Sequence, residues 1–399
     1  MEYEGPSTRA VHAGEGAREV GAPVVNPLVM SATFYSEPDG QGPVLYQRYG
    51  NGPNHVQVEA RIAALEGAED AAVFASGMAA MACAVISVVQ SGDHILATDA
   101  IYGGTRALLE KELPRFGIQA TFVDMFQPNW VDGFRENTKL VIGESPSNPL
   151  LRVQDLRPIA TEAHRRGAVL IVDSTFASPV NSRPLEHGAD LVMHSGTKYL
   201  GGHSDVTAGV IAGSAKLVNA VRDRAKIWGP ALDPHAVWLL ERGIKTLAVR
   251  MERHNRNGIE VARWAEGHPG IARVHHPSLP SHPDHETAKR VLDGFGAMLG
   301  LEIAGGGDAA ARFVRALKLA KLAPSLGGVE TLVSEPRYTS HAAMTPERRE
   351  ANGIRDGFVR VSLGIEDARD IIADFAQALE AAGVGADERA DAPREMAAD

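Results

Sequence analysis

Cysteine is almost absent from this sequence: Cys83 is the single cysteine in 399 residues. One thiol cannot form an internal disulfide, which excludes a small extracellular fold held by disulfides. Cys83 lies in an alanine-rich apolar stretch, where we expect a buried thiol rather than a nucleophile. The chain opens MEYEGPSTRA, which is acidic and polar and does not have the form of a secretory signal. We therefore expect a cytoplasmic protein.

Long apolar runs and an excess of basic residues are also missing. The longest apolar-rich stretch is MAAMACAVISVV at 78–89, shorter than the roughly 20 residues that cross a bilayer as a helix. The formal net charge is −10, from 40 Lys and Arg against 50 Asp and Glu. Nucleic acids and anionic membranes bind basic surfaces, so we expect neither as a partner. A small-molecule substrate remains.

Two nucleotide-binding signatures are absent as well, the P-loop and a convincing dinucleotide fingerprint. The densest group of metal-ligand side chains is the stretch HHPSLPSHPDH at 275–285, which contains His275, His276, His282 and His285. These histidines lack helical spacing and lie among prolines, so we predict a surface loop and no metal site. A metal-binding module without enzymatic activity, built on this loop, stays an alternative.

What the sequence does contain is a regular alternation of strands and helices from residue 55 to 212. Apolar runs such as TKLVIGES and AVLIVDSTF each end in polar or small residues. Between them lie helical patterns such as DLRPIATEAHRRG, which we expect to begin at Asp155 and to stop at Gly167. Continuous apolar strands that alternate with helices indicate a mostly parallel sheet covered on both faces. The sequence predicts an α/β fold.

We divide the chain into four parts by these patterns. A Gly- and Pro-rich N-terminal arm covers 1–54, and the α/β domain, which would bind a cofactor, covers 55–250. A smaller C-terminal α+β domain covers 251–384, with strands predicted in GAMLGLEIAGG, VETLVSEP and GFVRVSLGIED. A polar, flexible tail covers 385–399. A long helical stretch at 233–266 joins the second and third parts.

Polar residues mark the ends of the predicted strands, where parallel sheets bind ligands. These residues are Glu144, Asp173, Ser195, Thr197 and Lys198. Lys198 has no Asp, Glu, Arg or other Lys within four residues on either side. Desolvation lowers the pKa of such an amine and makes it a Schiff-base former. An end-of-strand structural lysine is the alternative.

Pyridoxal 5'-phosphate is the cofactor that uses a lysine of this kind, and it needs a carboxylate on its pyridine nitrogen. Asp173, at the end of AVLIVD, is placed for that contact, with a turn or cap residue as the alternative. The stretch FASGMAAM at 74–81 is a strand end, a turn and a helix start, so its backbone N–H groups can face a phosphate. Ser195 and Thr197 add hydroxyl donors beside Lys198.

Nine segments in order carry a family resemblance: YQRYGN (46–51), SGMAAM (76–81), YGGT (102–105), ESPSNP (144–149), VDSTFASP (172–179), HSGTKYLGGHSDVTAG (194–209), RGIKTLAVRM (242–251), SLGGVETL (325–332) and RVSLGIED (360–367). The chain resembles the trans-sulfuration family of fold-type-I pyridoxal phosphate enzymes, which includes cystathionine γ-synthase, cystathionine γ-lyase and methionine γ-lyase. The resemblance implies a large domain with a mostly parallel sheet and a smaller C-terminal α+β domain. It further implies a homotetramer, a dimer of dimers with sites shared across each dimer.

The resemblance also implies roles for individual residues. Lys198 would hold the cofactor and shuttle protons, and Tyr102 would stack on the pyridine ring and act as acid or base at the leaving group. Arg360 would bind the substrate α-carboxylate with help from Ser325; without the family, a strand-edge surface arginine is the alternative. The implied cofactor-binding residues are Gly77, Met78, Tyr102, Asn148, Asp173, Ser195, Thr197 and Lys198, with Tyr46 and Arg48 contributed by the neighbouring subunit.

The implied reaction is γ-elimination or γ-replacement on L-homoserine-type amino acids that carry a γ-substituent. Lys198 would remove the α-proton and then a β-proton before the γ-substituent leaves. The choice between elimination and replacement, and the preferred substituent, stay open. An aminotransferase of the same fold is the alternative function.

Several positions depart from the family pattern. Gly52, Pro53 and Asn54 replace the usual Pro-Thr after YGN, and Ser174 and Gly104 stand where relatives carry asparagine and, in methionine γ-lyases, cysteine.

Two further departures concern the substrate. The apolar residues Leu45 and Pro324 occupy positions where enzymes that handle cystathionine often have an acid. An unpaired buried ammonium costs several kcal/mol. We therefore expect weak binding of the distal amino group of cystathionine.

Overall fold

The computed structural model describes residues 3–15, 19–339, 342 and 344–385, and the strands in these residues form two sheets. The first sheet contains β1 (Asp70–Phe74), β2 (His94–Thr98), β3 (Gln119–Val123), β4 (Thr138–Glu144), β5 (Val169–Asp173), β6 (Leu191–Ser195) and β7 (Gly209–Gly213). The second contains β8 (Ile271–His275), β9 (Met298–Ile303), β10 (Lys321–Leu322), β11 (Leu332–Ser334) and β12 (Phe358–Ser362).

Helices surround both sheets. They are α1 (Pro6–His12), α2 (Pro53–Glu66), α3 (Gly77–Val88), α4 (Gly103–Ala107), α5 (Leu156–Arg165), α6 (Ser178–Asn181), α7 (Ala215–Trp228), α8 (Pro234–Ile244), α9 (Leu247–Glu266), α10 (His285–Val291), α11 (Gly306–Ala316), α12 (Pro346–Ala351) and α13 (Ala368–Ala381).

The first sheet has the strand order β1-β7-β6-β5-β4-β2-β3. The five strands β6, β5, β4, β2 and β3 run parallel to one another. The two antiparallel pairs are β6 with β7 and β7 with β1. Strands β2 and β7 are buried along their whole length because helices cover both faces. The predicted α/β architecture with a mostly parallel sheet is confirmed.

Capping residues set the ends of the helices that frame this sheet. The Asp155 side chain accepts a hydrogen bond from the Arg157 amide at the start of α5, as predicted, and the Ser76 side chain does the same for Ala79 at the start of α3. Helix α2 ends at Gly67, whose φ of 67° places it in the left-handed region that suits glycine.

The second sheet has the order β10-β11-β12-β9-β8, and all of its pairs except β10 with β11 are antiparallel. Helices α9, α11 and α13 cover it and form a separate apolar core. Within that core Phe313 and Phe375 pack edge to face with centroids 5.7 Å apart. The smaller C-terminal unit therefore has its own buried centre.

Helix α9 links the two cores. The predicted helical stretch 233–266 is two helices, α8 and α9, separated by Lys245 and Thr246. Leu247 and Met251 of α9 pack into the core of the first sheet, whereas later residues of the same helix belong to the core of the second. The domain division placed at residue 250 thus falls within a continuous helix, and as a division it stays a prediction. Of the predicted tail, 386–399 lie outside the described residues.

The predicted loop is present between β8 and α10, but the prediction that its histidines lie at the surface is wrong. His275, His276 and His282 are at most 6% exposed. Their rings face inward because each finds a partner there: Glu302 Oε1 at 2.8 Å, Ser278 Oγ at 2.7 Å and the Leu150 carbonyl at 3.4 Å, respectively. Over the described part of the chain, no group of three or more His, Cys, Asp or Glu side chains is arranged to hold a metal ion.

The N-terminal arm contains the short helix α1 and then irregular chain with exposed apolar side chains. Val20, Val24, Met30, Tyr35 and Val44 are each more than half exposed. Such a row on one segment is typical of a surface that another polypeptide covers. No helix within the described ranges is long and apolar enough to cross a membrane.

We predict that Asp374 of α13 is a major stabilising residue of the second sheet's unit. Its buried carboxylate accepts hydrogen bonds from the amides of Lys318, Leu319 and Ala320 at 2.8, 3.0 and 3.0 Å. Asp374→Ala should lower the free energy of unfolding by about 3 kcal/mol or more, because charge-assisted bonds are worth about 1.5–3 kcal/mol each. Denaturant unfolding measures this loss. Glu380→Ala, at an exposed position of the same helix, is the control and should be nearly neutral; equal losses in both variants would contradict the assignment.

Candidate active site

A cavity of about 690 Å³ opens at the carboxyl ends of β4, β5 and β6 and is closed on its other side by the second sheet. Its lining contains Ser76, Gly77, Met78, Tyr102, Glu144, Asn148, Asp173, Thr175, Phe176, Met193, Ser195, Thr197, Lys198, Pro324, Ser325, Leu326, Thr339 and Arg360. Every predicted site residue except Tyr46 and Arg48 is in this set. The strand-end rule thus placed Glu144, Asp173, Ser195, Thr197 and Lys198 at one edge of the first sheet, and the second sheet's unit adds Ser325 and Arg360.

Lys198 projects into the cavity from the turn after β6. Its Nζ donates a hydrogen bond to Ser325 Oγ at 2.7 Å. Burial, and secondarily the positive charge of Arg360, lower the pKa of Lys198 from 10.5 to about 8. A far larger fraction of the amine is therefore neutral near pH 7 than in an exposed lysine, and the neutral amine is the form that attacks a carbonyl.

Ser325 accepts hydrogen bonds from both cationic side chains of the site, Lys198 and Arg360. Its φ of 93° lies in the left-handed region, which is uncommon for a residue with a side chain. In this conformation the hydroxyl accepts from Lys198 and the carbonyl accepts from Arg360 Nη2 at 3.1 Å. Backbone strain of this kind persists where surrounding contacts fix it, often at functional sites.

Arg360 lies in the interior of the second sheet. Its strand, β12, pairs with β11 on one side and β9 on the other, so the strand-edge alternative is wrong. Besides Ser325, the guanidinium donates to Asn148 Oδ1 at 3.3 Å, and no carboxylate of the described residues pairs with it. Burial lowers the pKa of Arg360 to about 10. A buried guanidinium without an anion is suited to a carboxylate ligand.

Asp173 and Glu144 end neighbouring strands and are paired in the register of β5 and β4. Asp173 Oδ1 accepts from the Thr175 amide at 3.0 Å and from its hydroxyl at 2.5 Å, which leaves Oδ2 without a partner among the described residues. Burial raises the pKa of Asp173. A buried carboxylate with one free oxygen fits a protonated pyridine nitrogen, which would stabilise its ionised form.

The amino end of α3 forms the cradle for a phosphate. The amides of Gly77 and Met78 are the first two of the helix and have no intrahelical acceptor. A Cβ at Gly77 would lie 3.0 Å from Ser195 Cβ and 3.1 Å from Ser195 Oγ, so glycine keeps this space open. The Thr197 hydroxyl is close by but is shared with the Ala208 backbone. Amides, hydroxyls, a carboxylate and a lysine together fit pyridoxal phosphate.

Tyr46 and Arg48 lie away from the cavity of their own chain. Arg48 donates to the Lys226 carbonyl and stacks over the rings of Tyr49 and Tyr46, at 4.9 and 5.5 Å from their centroids. The structure therefore does not bring these two residues to the remaining site residues within one subunit.

Sequence reasoning missed several lining residues. Thr175 lies in the motif VDSTF, two residues after Asp173. In an extended chain this spacing places both side chains on the same side, and that spacing could have identified Thr175. The apolar walls formed by Phe176, Met193 and Leu326 carry no signal that separates them from ordinary core residues.

Comparison with known proteins decides the family. The sequence model of the Cys/Met metabolism PLP-dependent enzymes matches residues 7–380. The chain belongs to this family.

Individual relatives agree with the family match. The chain is 42% identical to O-succinylhomoserine sulfhydrylase of Pseudomonas aeruginosa, over 88% of this chain and 86% of the relative. It is 40% identical to L-methionine γ-lyase of Porphyromonas gingivalis, over 94% and 97%. The crystal structure of cystathionine γ-lyase from Lactobacillus plantarum complexed with L-serine superposes with a TM-score of 0.90 at 35% identity, over 96% of this chain and 100% of that one.

These matches confirm the predicted fold, the enzyme class and the cofactor. The protein is a pyridoxal phosphate-dependent trans-sulfuration enzyme of sulfur amino-acid metabolism. The aminotransferase alternative finds no support among them, and the metal-binding non-enzyme is wrong because the family is catalytic. The roles of the individual site residues stay predictions.

We predict that the apoprotein incorporates pyridoxal phosphate through Lys198 with a pH dependence centred near pH 8. The rate should rise with pH as the amine loses its proton, because the pKa of Lys198 is lowered to about 8. Arg360→Gln removes a cation that disfavours the ammonium, so the midpoint should move to higher pH and incorporation at pH 7 should slow about twofold to fivefold. Visible absorbance of the bound cofactor follows the rate.

Borohydride reduction identifies the residue. Lys198→Ala should leave no cofactor fixed to the chain, whereas Lys289→Ala, at an exposed position of α10, should fix it like the wild type. A fixed adduct in Lys198→Ala, or a midpoint near the ordinary lysine value of 10.5, would falsify the assignment.

Proposed function

We propose that this enzyme acts on γ-substituted L-homoserine-type amino acids whose γ-substituent carries no cationic group, by γ-elimination or γ-replacement. Methionine-like and O-acylhomoserine substrates should be preferred over cystathionine. The observation that carries this proposal is the distribution of charge around the cavity.

The only carboxylates among the described lining residues are Glu144 and Asp173, and both sit at strand ends on the floor of the cavity. The wall beside Ser325 is apolar at Pro324 and Leu326. A distal ammonium would lose its water there without gaining an anion, which costs several kcal/mol. The names of two relatives, an O-succinylhomoserine sulfhydrylase and an L-methionine γ-lyase, fit this preference.

The chain's own residues would handle binding and protons as follows. Bound pyridoxal phosphate supplies an electron sink that acidifies the bonds at the substrate α-carbon. Arg360, fixed by Asn148 and the Ser325 carbonyl, would hold the α-carboxylate with two N–H groups. Lys198 Nζ would accept the α-proton, since burial keeps it neutral often enough, and Ser325 Oγ would hold the amine in place.

Tyr102 would serve the leaving group. It lines the same cavity, and its side chain is 46% exposed, so its hydroxyl is accessible to a substituent that enters from solvent. A hydroxyl at this position could donate a proton to the departing sulfur or oxygen.

A substrate panel tests the preference, with Leu45→Glu as the probe. Leu45 does not line the cavity of its own chain, but beside Tyr46 it would reach the cavity of the neighbouring subunit in the shared site proposed below. Restoring an acid should raise kcat/KM for cystathionine relative to methionine about tenfold to a hundredfold, because one charge-assisted hydrogen bond is worth about 1.5–3 kcal/mol. Leu45→Gln has nearly the same shape without the charge and should leave the ratio unchanged. A wild type that already prefers cystathionine a hundredfold over methionine would show that other residues bind the distal group.

We further propose a cytoplasmic homotetramer, a dimer of dimers, in which each dimer shares its two sites. The apolar side chains of the arm are exposed in the single chain, and Arg48 donates to the carbonyl of Lys226, which the exposed residues Ile227 and Trp228 follow in the chain. These features support a partner subunit that covers the arm and receives Tyr46 and Arg48 at its phosphate cradle. The single buried thiol of Cys83 supports a reducing compartment.

Subunit mixing tests the shared site. Arg48→Ala and Lys198→Ala should each be inactive, whereas equal mixing should restore about a quarter of the wild-type activity, because half of the dimers are hybrids with one intact site of two. Activity is assayed after native mass spectrometry has verified exchange. No recovery in exchanged dimers would place both residues in the site of one chain.

A further inference from the structure

We propose that Glu144 is a positioning residue: its two carboxylate oxygens tie the Tyr102 segment and the Asn148 segment to the end of β4 and thereby hold the cofactor cavity in shape. The proposal rests on the proposed function for the roles of Tyr102 and Asn148, and the geometry around Glu144 carries it.

Glu144 divides its oxygens between two loops. It is the last residue of β4 and is 5% exposed. Oε2 accepts a hydrogen bond from the Tyr102 amide at 2.7 Å, and Oε1 accepts one from the Asn148 amide at 3.2 Å. The Tyr102 segment follows β2, the neighbour of β4 in the sheet, and Asn148 follows β4 itself. One side chain therefore fixes two loops relative to each other.

Main-chain contacts hold Tyr102: its amide donates to Glu144, and its carbonyl accepts from the Arg106 amide at 2.9 Å, within the helix that follows. Its hydroxyl has no hydrogen-bond partner in the described structure, and its ring lies against the backbone of Gly104, where a Cβ would come within 2.5 Å of the Tyr102 Cε1 atom. The ring is thus directed by where the backbone of residues 102–104 lies. Since the Tyr102 amide is held by Glu144, a shift of that carboxylate moves the ring.

The second contact reaches the other sheet. Asn148 Oδ1 accepts from Arg360 Nη1 at 3.3 Å, and Arg360 is fixed at its other nitrogen by Ser325. Glu144 therefore stands at the start of a chain of contacts that ends at the guanidinium predicted to hold the substrate carboxylate. Loss of the Asn148 contact would release one end of this chain.

The pair of contacts favours an ionised Glu144, because both donors are N–H groups and a carboxylic acid would turn its own proton toward one of them. Burial, and secondarily Asp173 on the neighbouring strand, raise the pKa of Glu144 well above its usual range. A protonated pyridine nitrogen at Asp173 would offset that second effect. Cofactor binding and the Glu144 contacts should therefore support each other.

Glu144→Gln tests the proposal, since the amide keeps the shape but accepts from only one of the two N–H groups. The dissociation constant of the apoprotein for pyridoxal phosphate, measured by absorbance titration, should rise about tenfold, which corresponds to about 1.4 kcal/mol. Glu302→Gln is the matched control: Glu302 is also a buried carboxylate, paired with His275 and outside the cavity lining. It should leave the cofactor affinity unchanged even if it lowers thermal stability.

A double-mutant cycle with Tyr102→Ala separates positioning from general destabilisation. If Glu144 acts through the Tyr102 ring, the loss of affinity in the double variant should be clearly smaller than the sum of the two single losses. Wild-type affinity in Glu144→Gln, or fully additive losses, would overturn the proposal. Should Glu144→Gln not fold, Glu144→Asp replaces it, because the shorter side chain cannot reach both amides.

The titration needs no substrate, so it is independent of the reaction. A protein that binds the cofactor and shows the expected coupling, but turns over no γ-substituted amino acid, would overturn the proposed function and leave the role of Glu144 intact.

Discussion

The contact between Lys198 Nζ and Ser325 Oγ is the interaction around which this molecule is arranged. It joins residues 127 positions apart and links the turn after β6 in the first sheet to the segment between β10 and β11 of the second. Residues of both units enclose the lysine, and the resulting loss of water lowers its pKa. The reactivity of the amine is therefore a property of the two packed units together.

Buried ionisable groups of both signs line the cavity that contains this contact. Lys198 and Arg360 have no carboxylate partner in the described structure, while Asp173 and Glu144 lie side by side at the ends of β5 and β4. Each arrangement disfavours the charged forms, as the raised and lowered pKa values of these groups show. In the proposed roles of these residues, a cofactor with a cationic ring and a substrate with an anionic carboxylate would supply the missing partners. The unpaired buried groups lower the stability of this region, and the same groups would bind the charged cofactor and substrate.

Much of this could be predicted from the sequence because parallel sheets follow a simple geometric rule. Apolar runs that end in Glu144, Asp173 and Ser195 had to bring these residues to one edge. Lys198 was conspicuous because it stands apart from other charges. Ser325 and Arg360, by contrast, were assigned to the site only through family resemblance. No local sequence pattern indicates which part of a second, distant sheet packs over the cavity.

The failures have equally physical reasons. The histidines of 275–285 look like surface residues because they alternate with prolines, yet His275 and His276 find acceptors inside the fold, and burial of a polar ring depends on partners that are remote in sequence. The sequence marked Glu144 as the end of a strand but gave it no role. Its carboxylate accepts hydrogen bonds from two backbone amides, and since almost every residue type has a backbone amide, no sequence pattern identifies these donors.

Helix α9 has a consequence for how the cavity admits its ligands. Its 20 residues run without a break from the core of the first sheet into that of the second, a length of about 30 Å. A hinge between two lobes needs a flexible joint, and a continuous helix packed into both cores does not provide one there. We therefore expect opening and closing of the cavity to come from its surface segments, with the two lobes moving as a single rigid frame.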